Sequence, residues 1–344
     1  MKKIMRIPTI EEFAKHIIVM DANRNKEYAS APQTSHAVSY NPTTCIDVTI
    51  VTVCYNPLKT GRNDLFLKNL DSVQAQENVH LEHLIIDGAS TDGTLDWLRK
   101  YNNTRYDIRI LSAPDSGIYE AMNRGIALAR GKYIIYLNSD DYFHDPRGMS
   151  ASLARIEKLQ CDFSFAPVRF SDTTIKHNPQ LIPHKRLRHF IINWCFSHQS
   201  MLTSRSLLLR LDGFDTSYRS AADYDLLLRM IAAGAKGCFV PISFSTFDLG
   251  GFSCSEENAK LIEEESIHCL QSFYKYFYGV EMTHDEVEYI FNHRVYPHKY
   301  INLYKQTQKL IWERFIGIPK GGITWISRWF NYIKYYQKCR KANI

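Results

Sequence analysis

From Ile46 to Asn138 the chain alternates between two rhythms. "IDVTIVTVCYN" is a β-branched apolar run, whereas in "DLFLKNLDSVQAQ" the apolar positions Phe66, Leu70 and Val73 recur at the spacing of a helix with one buried face. The alternation then repeats: "LEHLIID" predicts a strand, "DGTLDWLRKYN" a helix, "YDIRILSAP" a strand, "GIYEAMNRGIALAR" a helix closed by Gly131, and "KYIIYLN" a strand. Strands and helices joined by short turns predict βαβ units, hence an α/β fold with a mainly parallel, Rossmann-like sheet covered by helices on both faces. Ligands of such sheets collect at the carboxyl ends of the strands. Here those ends carry "CYN" (54–56), "DGAS" (87–90), "APDSG" (113–117) and "NSDD" (138–141).

From about residue 161 to 247 the pattern is mixed, with short strands in "CDFSFAPVRF" and "GCFVPISFSTF", a basic segment "HKRLRHFIINW", and a helix in "ADYDLLLRMIAAGA". Beyond residue 255 it is helical. The chain therefore divides into an N-terminal extension and linker with a short helix (1–45), a main domain (46–255) and a helical C-terminal region (256–344).

Composition narrows the surroundings. The 344 residues are 45% hydrophobic and 23% charged, as in a soluble globular protein, and a net charge of +6 favours an anionic partner. Eight scattered cysteines form no C-x-x-C pair, which suits reduced thiols in the cytoplasm. The start, "MKKIMRIPTIEEFAKH", is broken by Glu11 and Glu12 before an apolar core of secretory length develops. No uncharged apolar run reaches the roughly 20 residues a membrane span needs. Membrane contact is accordingly expected to be peripheral, on the inner face of the cytoplasmic membrane. Residues 314–344 hold seven Lys and Arg and no acidic residue, with Ile323, Ile326, Phe330 and Ile333 at helical spacing among Trp and Tyr. Such a helix suits an anionic membrane surface, and equally suits docking on the main domain. An acidic cleft argues against nucleic acid as a partner.

Four polar clusters carry candidate chemistry. Asp87 stands before the turn of "IIDGASTDGT", where Ser90 to Thr94 serve the following helix and Asp87 is left to face the cleft. Asp115 and Gly117 occupy the next such turn, as a ligand contact or an ordinary cap. Asp140 and Asp141 are adjacent carboxylates at a sheet mouth, where a hard divalent cation offsets their repulsion; an Asp-rich turn before Pro146 is the alternative. Asp223 shares a helix face with Leu226, Leu227, Met230 and Ile231, either as a general base or as the fourth residue of an S-x-x-D cap begun by Ser220. His198 has no second His or Cys at ligand spacing and reads as structural.

Taken in order, "VTVCYN", "IIDGASTDGT", "PDSGIYEAMNRGIALARGKYIIYLNSDDYF" and "AADYDLLLRM" resemble the inverting glycosyltransferases of the GT-A fold, of the large family 2 type. They are most similar to the bacterial enzymes of capsular and colanic-acid-type exopolysaccharide synthesis. The resemblance covers about residues 46–253. It implies that Tyr55 and Asp87 hold the nucleotide base and that Asp115 to Gly117 line the nucleotide pocket. It places Asn138, Asp140 and Asp141 at the D-x-D motif, with Asp140 on Mn²⁺ or Mg²⁺, and makes Asp223 the catalytic base. "LGGFS" is similar to a loop that closes over the donor. The chain departs from the family at Asn138, where Asp is usual, and at Ala222, where Glu often precedes the base. The implied activity is metal-dependent transfer of a sugar from a nucleotide-diphosphate donor, UDP-linked in the usual case, to a glycan or lipid-linked oligosaccharide. A sugar nucleotidyltransferase and a non-catalytic membrane scaffold are the rivals. "CYNPLKTGRND" offers only part of the triphosphate loop that the former needs.

Overall fold

The computed structural model describes residues 45–101, 108–171, 197–251, 256–293 and 295–316, together with two N-terminal strands. The basic segment 184–194, Phe252 and Ser253 of the "LGGFS" loop, and the aromatic tail from residue 317 lie outside the described residues, as does most of the N-terminal stretch.

The N-terminal strands are β1 (Ile17–Met20) and β2 (Glu27–Tyr28). The alternating block follows as β3 (Val48–Cys54), α1 (Asn63–Gln74), β4 (Leu81–Asp87), α2 (Thr94–Arg99), β5 (Ile108–Ser112), α3 (Ile118–Leu128) and β6 (Tyr133–Tyr136). Next come β7 (Tyr142–Phe143), α4 (Gly148–Leu159), β8 (Phe163–Phe165), β9 (Val168–Phe170), β10 (Met201–Ser204), α5 (Arg205–Arg210), α6 (Ala222–Ala232), β11 (Gly237–Phe239) and β12 (Ser245–Phe247). The chain then runs through α7 (Ala259–Tyr278), α8 (His284–His293), α9 (Ile301–Arg314) and β13 (Phe315–Ile316).

Among the described residues one sheet of ten strands, ordered β13-β11-β8-β10-β6-β3-β4-β5-β1-β2, forms the central layer. β6, β3, β4 and β5 are mutually parallel, as the alternation predicts, while β10 enters antiparallel between β6 and β8. β7, β12 and β9 make a second, small sheet.

Period-two alternation sets the two faces of the main sheet. Val51, Val53, Leu84 and Ile86 pack with Met122 and Ile126 of α3, whereas Cys54 and Ile85 pack with Phe66 and Leu70 of α1. Helix α3 lies so close to β3 that a Cβ on Gly125 would meet Val51 Cγ1 at 2.5 Å.

Two features were not legible in the periodicity. β1 extends the sheet by pairing antiparallel with β5, so part of the N-terminal stretch joins the main sheet. The C-terminal helices are no separate body: Ile267, Leu270 and Phe273 of α7 share the core with Leu227 and Met230 of α6, and β13 pairs parallel with β11.

Candidate active site

The ends of β3, β4 and β5 are laced into one wall. Asp87 is fully buried, and its carboxylate accepts from the Ser90 amide (3.1 Å), from the Ser90 hydroxyl and from Ser112 Oγ (2.6 Å), with the Cys54 thiol at 3.7 Å. The sequence places Asp87 facing the cleft. Its oxygens instead hold the adjacent turns together, because the parallel register sets Asp87 beside Ser112. Gly88 follows, and a Cβ there would lie 2.9 Å from Asp115 Oδ2 and 3.2 Å from the Tyr55 ring, so Tyr55 and Asp115 flank the same glycine. Tyr55 is 67% exposed, an aromatic face open at the sheet mouth. Burial raises the Asp115 carboxyl above its ordinary value, and the Gly117 N–H, donating at 3.0 Å, opposes this. Gly117 has φ +139° with nothing within 4 Å of a would-be Cβ, so glycine is required by backbone conformation and not by crowding.

The end of β6 carries the second cluster. Asn69 of α1 donates through Nδ2 to the carbonyls of Asn138 (2.8 Å) and Asp141 (2.9 Å), fixing the turn between them. The two carboxylates then part. Asp141 is buried, accepting from Gln199 Nε2 (2.7 Å) and the Asp248 N–H (2.9 Å). Burial first, and neighbouring Asp140 second, push its carboxyl well above the usual range. Asp140 pairs with Arg62 Nη1 at 2.5 Å, and the same guanidinium donates to the Gly250 carbonyl. Burial raises the Asp140 carboxyl and Arg62 opposes the shift.

Asp223 enters from the start of α6. Its Oδ1 accepts from Tyr119 Oη (3.0 Å) and from the Tyr224 N–H (3.1 Å), while Oδ2 lies 3.5 Å from His198 Nδ1. The other ring nitrogen of His198 is 3.4 Å from Asn138 Nδ2. His198 therefore spans the gap between the β6 turn and Asp223. A cavity of about 40 Å³ opens beside the pair, walled by Tyr136, Leu208, Phe214, Leu226 and Met230. The capping alternative fails for a simple reason. Helix α6 has Ala221 as its cap position without a side-chain cap bond, and Ser220 Oγ has no partner among the described residues.

Asn138 Oδ1 is also buried without a partner among the described residues. An unpaired buried oxygen next to a carboxylate at the mouth is a hard donor set, of the kind that suits Mg²⁺ or Mn²⁺. The residues present thus fit a divalent cation. Arg62 and His198 are the site residues that the sequence reading missed. Each is one polar residue brought in by tertiary structure, and only the partial basic loop in "CYNPLKTGRND" hinted at Arg62.

Residues 49–216 match the family described as glycosyl transferase family 2. The chain is 31% identical over 171 residues to the chondroitin synthase of Pasteurella multocida (strain Pm70), which is 48% of this chain and 17% of that one. It thus spans about a sixth of that relative's length. Among solved structures, S. aureus TarS (1–349) has a TM-score of 0.54 at 15% identity, covering 86% of this chain and 81% of TarS. A TarS complex with UDP-GlcNAc has a TM-score of 0.53 at 15% identity and covers 72% of both chains. The mannosyltransferase PcManGT from Pyrobaculum calidifontis, with GDP-Man and Mn²⁺, has a TM-score of 0.50 at 17% identity and covers 90% of both chains. At these identities the likeness is one of fold, and the fold is GT-A-like.

Proposed function

From the premise that residues 49–216 form a glycosyl transferase family 2 domain, we propose that the protein is an inverting glycosyltransferase. It takes a nucleotide-diphosphate sugar as donor and a hydroxyl of a glycan or lipid-linked oligosaccharide as acceptor, in cell-surface polysaccharide synthesis. The observation that carries this reading is the bridge made by His198, which sets Asp223 against the turn holding Asn138 and Asp140.

Tyr55, Asp115 and the Gly117 turn form the nucleotide wall, with Asp87 behind it holding the loops in place. Asn138 and Asp140 would hold Mn²⁺ or Mg²⁺, which when bound neutralises the charge of a leaving diphosphate. Asp141 fixes the turn from which both project. Asp223 Oδ1 is held by Tyr119 and the Tyr224 amide, leaving Oδ2 to take the acceptor's proton. As that proton leaves, the acceptor oxygen bonds to the anomeric carbon and the carbon–oxygen bond to the diphosphate breaks with its electrons going to the diphosphate. A single displacement from the opposite face inverts the configuration.

The likeness to a chondroitin synthase supports a polysaccharide product, and the UDP-GlcNAc, GDP-Man and Mn²⁺ complexes of the structural neighbours support a nucleotide-sugar donor with a metal. No helix among the described residues is long and apolar enough to cross a membrane, and a peripheral position on the inner membrane face is proposed from the basic tail.

The test is a thermal-shift panel of nucleotide sugars with and without Mn²⁺, followed by nucleotide release on adding acceptor sugars. One donor is expected to raise Tm, more so with Mn²⁺. If no nucleotide sugar raised Tm and none was turned over, the reading would be wrong.

A further inference from the structure

The N-terminus of α6, which delivers Asp223, is held by a residue from outside the matched family segment. Glu265 of α7 accepts three backbone N–H groups of the approach to α6. Its Oε1 takes the Arg219 amide (2.8 Å), and its Oε2 takes those of Ser220 (2.8 Å) and Ala221 (3.0 Å). Amides at a helix start lack intrahelical acceptors, and a carboxylate is the acceptor best matched to the positive end of the helix. The same face of α7 grips this segment twice more. His268 Nδ1 lies 2.8 Å from Tyr218 Oη, and the Cys269 thiol donates to the Ala221 carbonyl at 3.7 Å. Residues 265, 268 and 269 are spaced i, i+3 and i+4, so one stripe of α7 makes all these contacts. From the other side Tyr119 Oη shares its one proton between the Ser220 carbonyl (2.8 Å) and Asp223 Oδ1 (3.0 Å).

We propose that Glu265 is a positioning residue for Asp223: it clamps the backbone of residues 219–221 and thereby fixes where α6 directs the carboxylate. This rests on the reading of Asp223 as the base. It gives the C-terminal helices a part in catalysis, which their shared core with α6 alone does not require. Glu265 itself touches neither donor nor acceptor. Its loss therefore acts on the chemical step and spares donor binding, because the nucleotide wall stands on β3, β4 and β5, away from α7.

The experiment measures kcat and donor KM for Glu265→Ala, Glu265→Gln and Asp223→Asn in the full chain, alongside hydrogen exchange at the amides of 219–221. For Glu265→Ala, kcat is expected to fall between about tenfold and 10²-fold, the scale of an ångström-sized misplacement. Donor KM should stay within about threefold, and the three amides should lose protection while the sheet amides keep theirs. Glu265→Gln keeps one acceptor oxygen in the same shape and should restore part of both signals. Should Glu265→Ala not fold, Glu265→Gln carries the test, with a smaller fall in kcat at unchanged KM. A kcat equal to wild type with normal protection at 219–221 overturns the inference and leaves the Asp223→Asn loss standing. A rise in donor KM matching the fall in kcat also overturns it. Normal turnover in Asp223→Asn removes the reading beneath it, and the inference with it.

Discussion

Replacing Asp223 with Asn changes one charge and little else, which makes it the sharpest probe of the proposed chemistry. Oδ1 accepts two hydrogen bonds, from Tyr119 Oη and the Tyr224 N–H, so this position must remain the amide oxygen. The NH₂ then replaces Oδ2, the atom 3.5 Å from His198 Nδ1 that is proposed to take the proton. The fold keeps both Oδ1 bonds. It loses one contact at the limit of hydrogen-bond length, a stability cost of about 1 kcal/mol or less. The chemical step loses its base entirely. Such a base typically contributes on the order of 10²- to 10⁴-fold, which is about 2.7 to 5.4 kcal/mol of barrier at 1.36 kcal/mol per decade. Transfer is measured at saturating donor and acceptor, donor affinity by calorimetry, and stability by urea titration. The expected outcome is a kcat reduced over that range at unchanged donor affinity. Turnover within threefold of wild type would refute the role of base. A loss of donor affinity equal to the loss of kcat would recast Asp223 as a donor-binding group.

Three further outcomes follow from the geometry. Gly117→Ala places a side chain at φ +139°, a conformation essentially restricted to glycine, and is expected to cost about 1–3 kcal/mol in urea titration and to weaken donor binding; wild-type stability would count against it. His83, buried on β4 beside Thr52 Oγ1 at 2.9 Å, is lowered by burial from 6.5 to about 3, so the unfolded chain takes up its proton below pH 6.5 while the folded chain does not. Its stabilising share is whole above pH 6.5 and is lost as pH falls towards 3: wild type should lose roughly 2–3 kcal/mol more than His83→Gln between pH 7 and pH 4.5, and parallel losses would count against this. Arg62→Ala removes the cation paired with Asp140, and the free protein should bind Mn²⁺ about fivefold tighter, as follows from losing a competitor worth about 1 kcal/mol; electron paramagnetic resonance of free Mn²⁺ reads this, and weaker binding would make Arg62 a supporter of the site.

The sheet was legible in the sequence because burial on both faces writes itself as continuous apolar runs, as in "IDVTIVTVCYN" for β3 and "KYIIYLN" for β6. Asp140 and Asp223 stood out in the sequence as carboxylates after a strand and at the start of a helix, and the structure places them after β6 and on the first turn of α6. Asp87 was read as open to the cleft because its partners depend on register: Ser112 lies 25 residues away and becomes its neighbour only once β5 pairs with β4. The S-x-x-D pattern at Ser220 misled for the converse reason. The local cap it offers is displaced by Glu265, 45 residues from Ser220, whose carboxylate takes the Ser220 amide that Asp223 would have served in that cap. Arg62 reaches Asp140 across 78 residues and Gly250 across 188, distances over which no spacing rule carries a signal. What local pattern could not supply was therefore the set of polar groups whose partners are fixed by tertiary contact alone.

That distinction separates the adjacent carboxylates at the end of β6. Asp141 turns inward, and both its oxygens are taken by residues that belong to other parts of the site. Gln199, on one oxygen, is the chain neighbour of His198, which touches Asp223. The Asp248 amide, on the other, begins the loop whose Gly250 carbonyl Arg62 holds. Asp141 thus governs where His198 and the 248–250 loop stand. Asp140 pairs with the Arg62 guanidinium. A substitution at Asp140 should alter the charge at the mouth and leave the shape of the cleft intact. A substitution at Asp141 disturbs the shape from two directions, towards Asp223 through His198 and towards the mouth through Asp248. Burial, and after it the neighbouring Asp140, push the Asp141 carboxyl upward, and the Asp248 amide and Gln199 oppose this by donating to its two oxygens. Asp140 instead faces the Arg62 guanidinium at the mouth, where the proposed cation would sit.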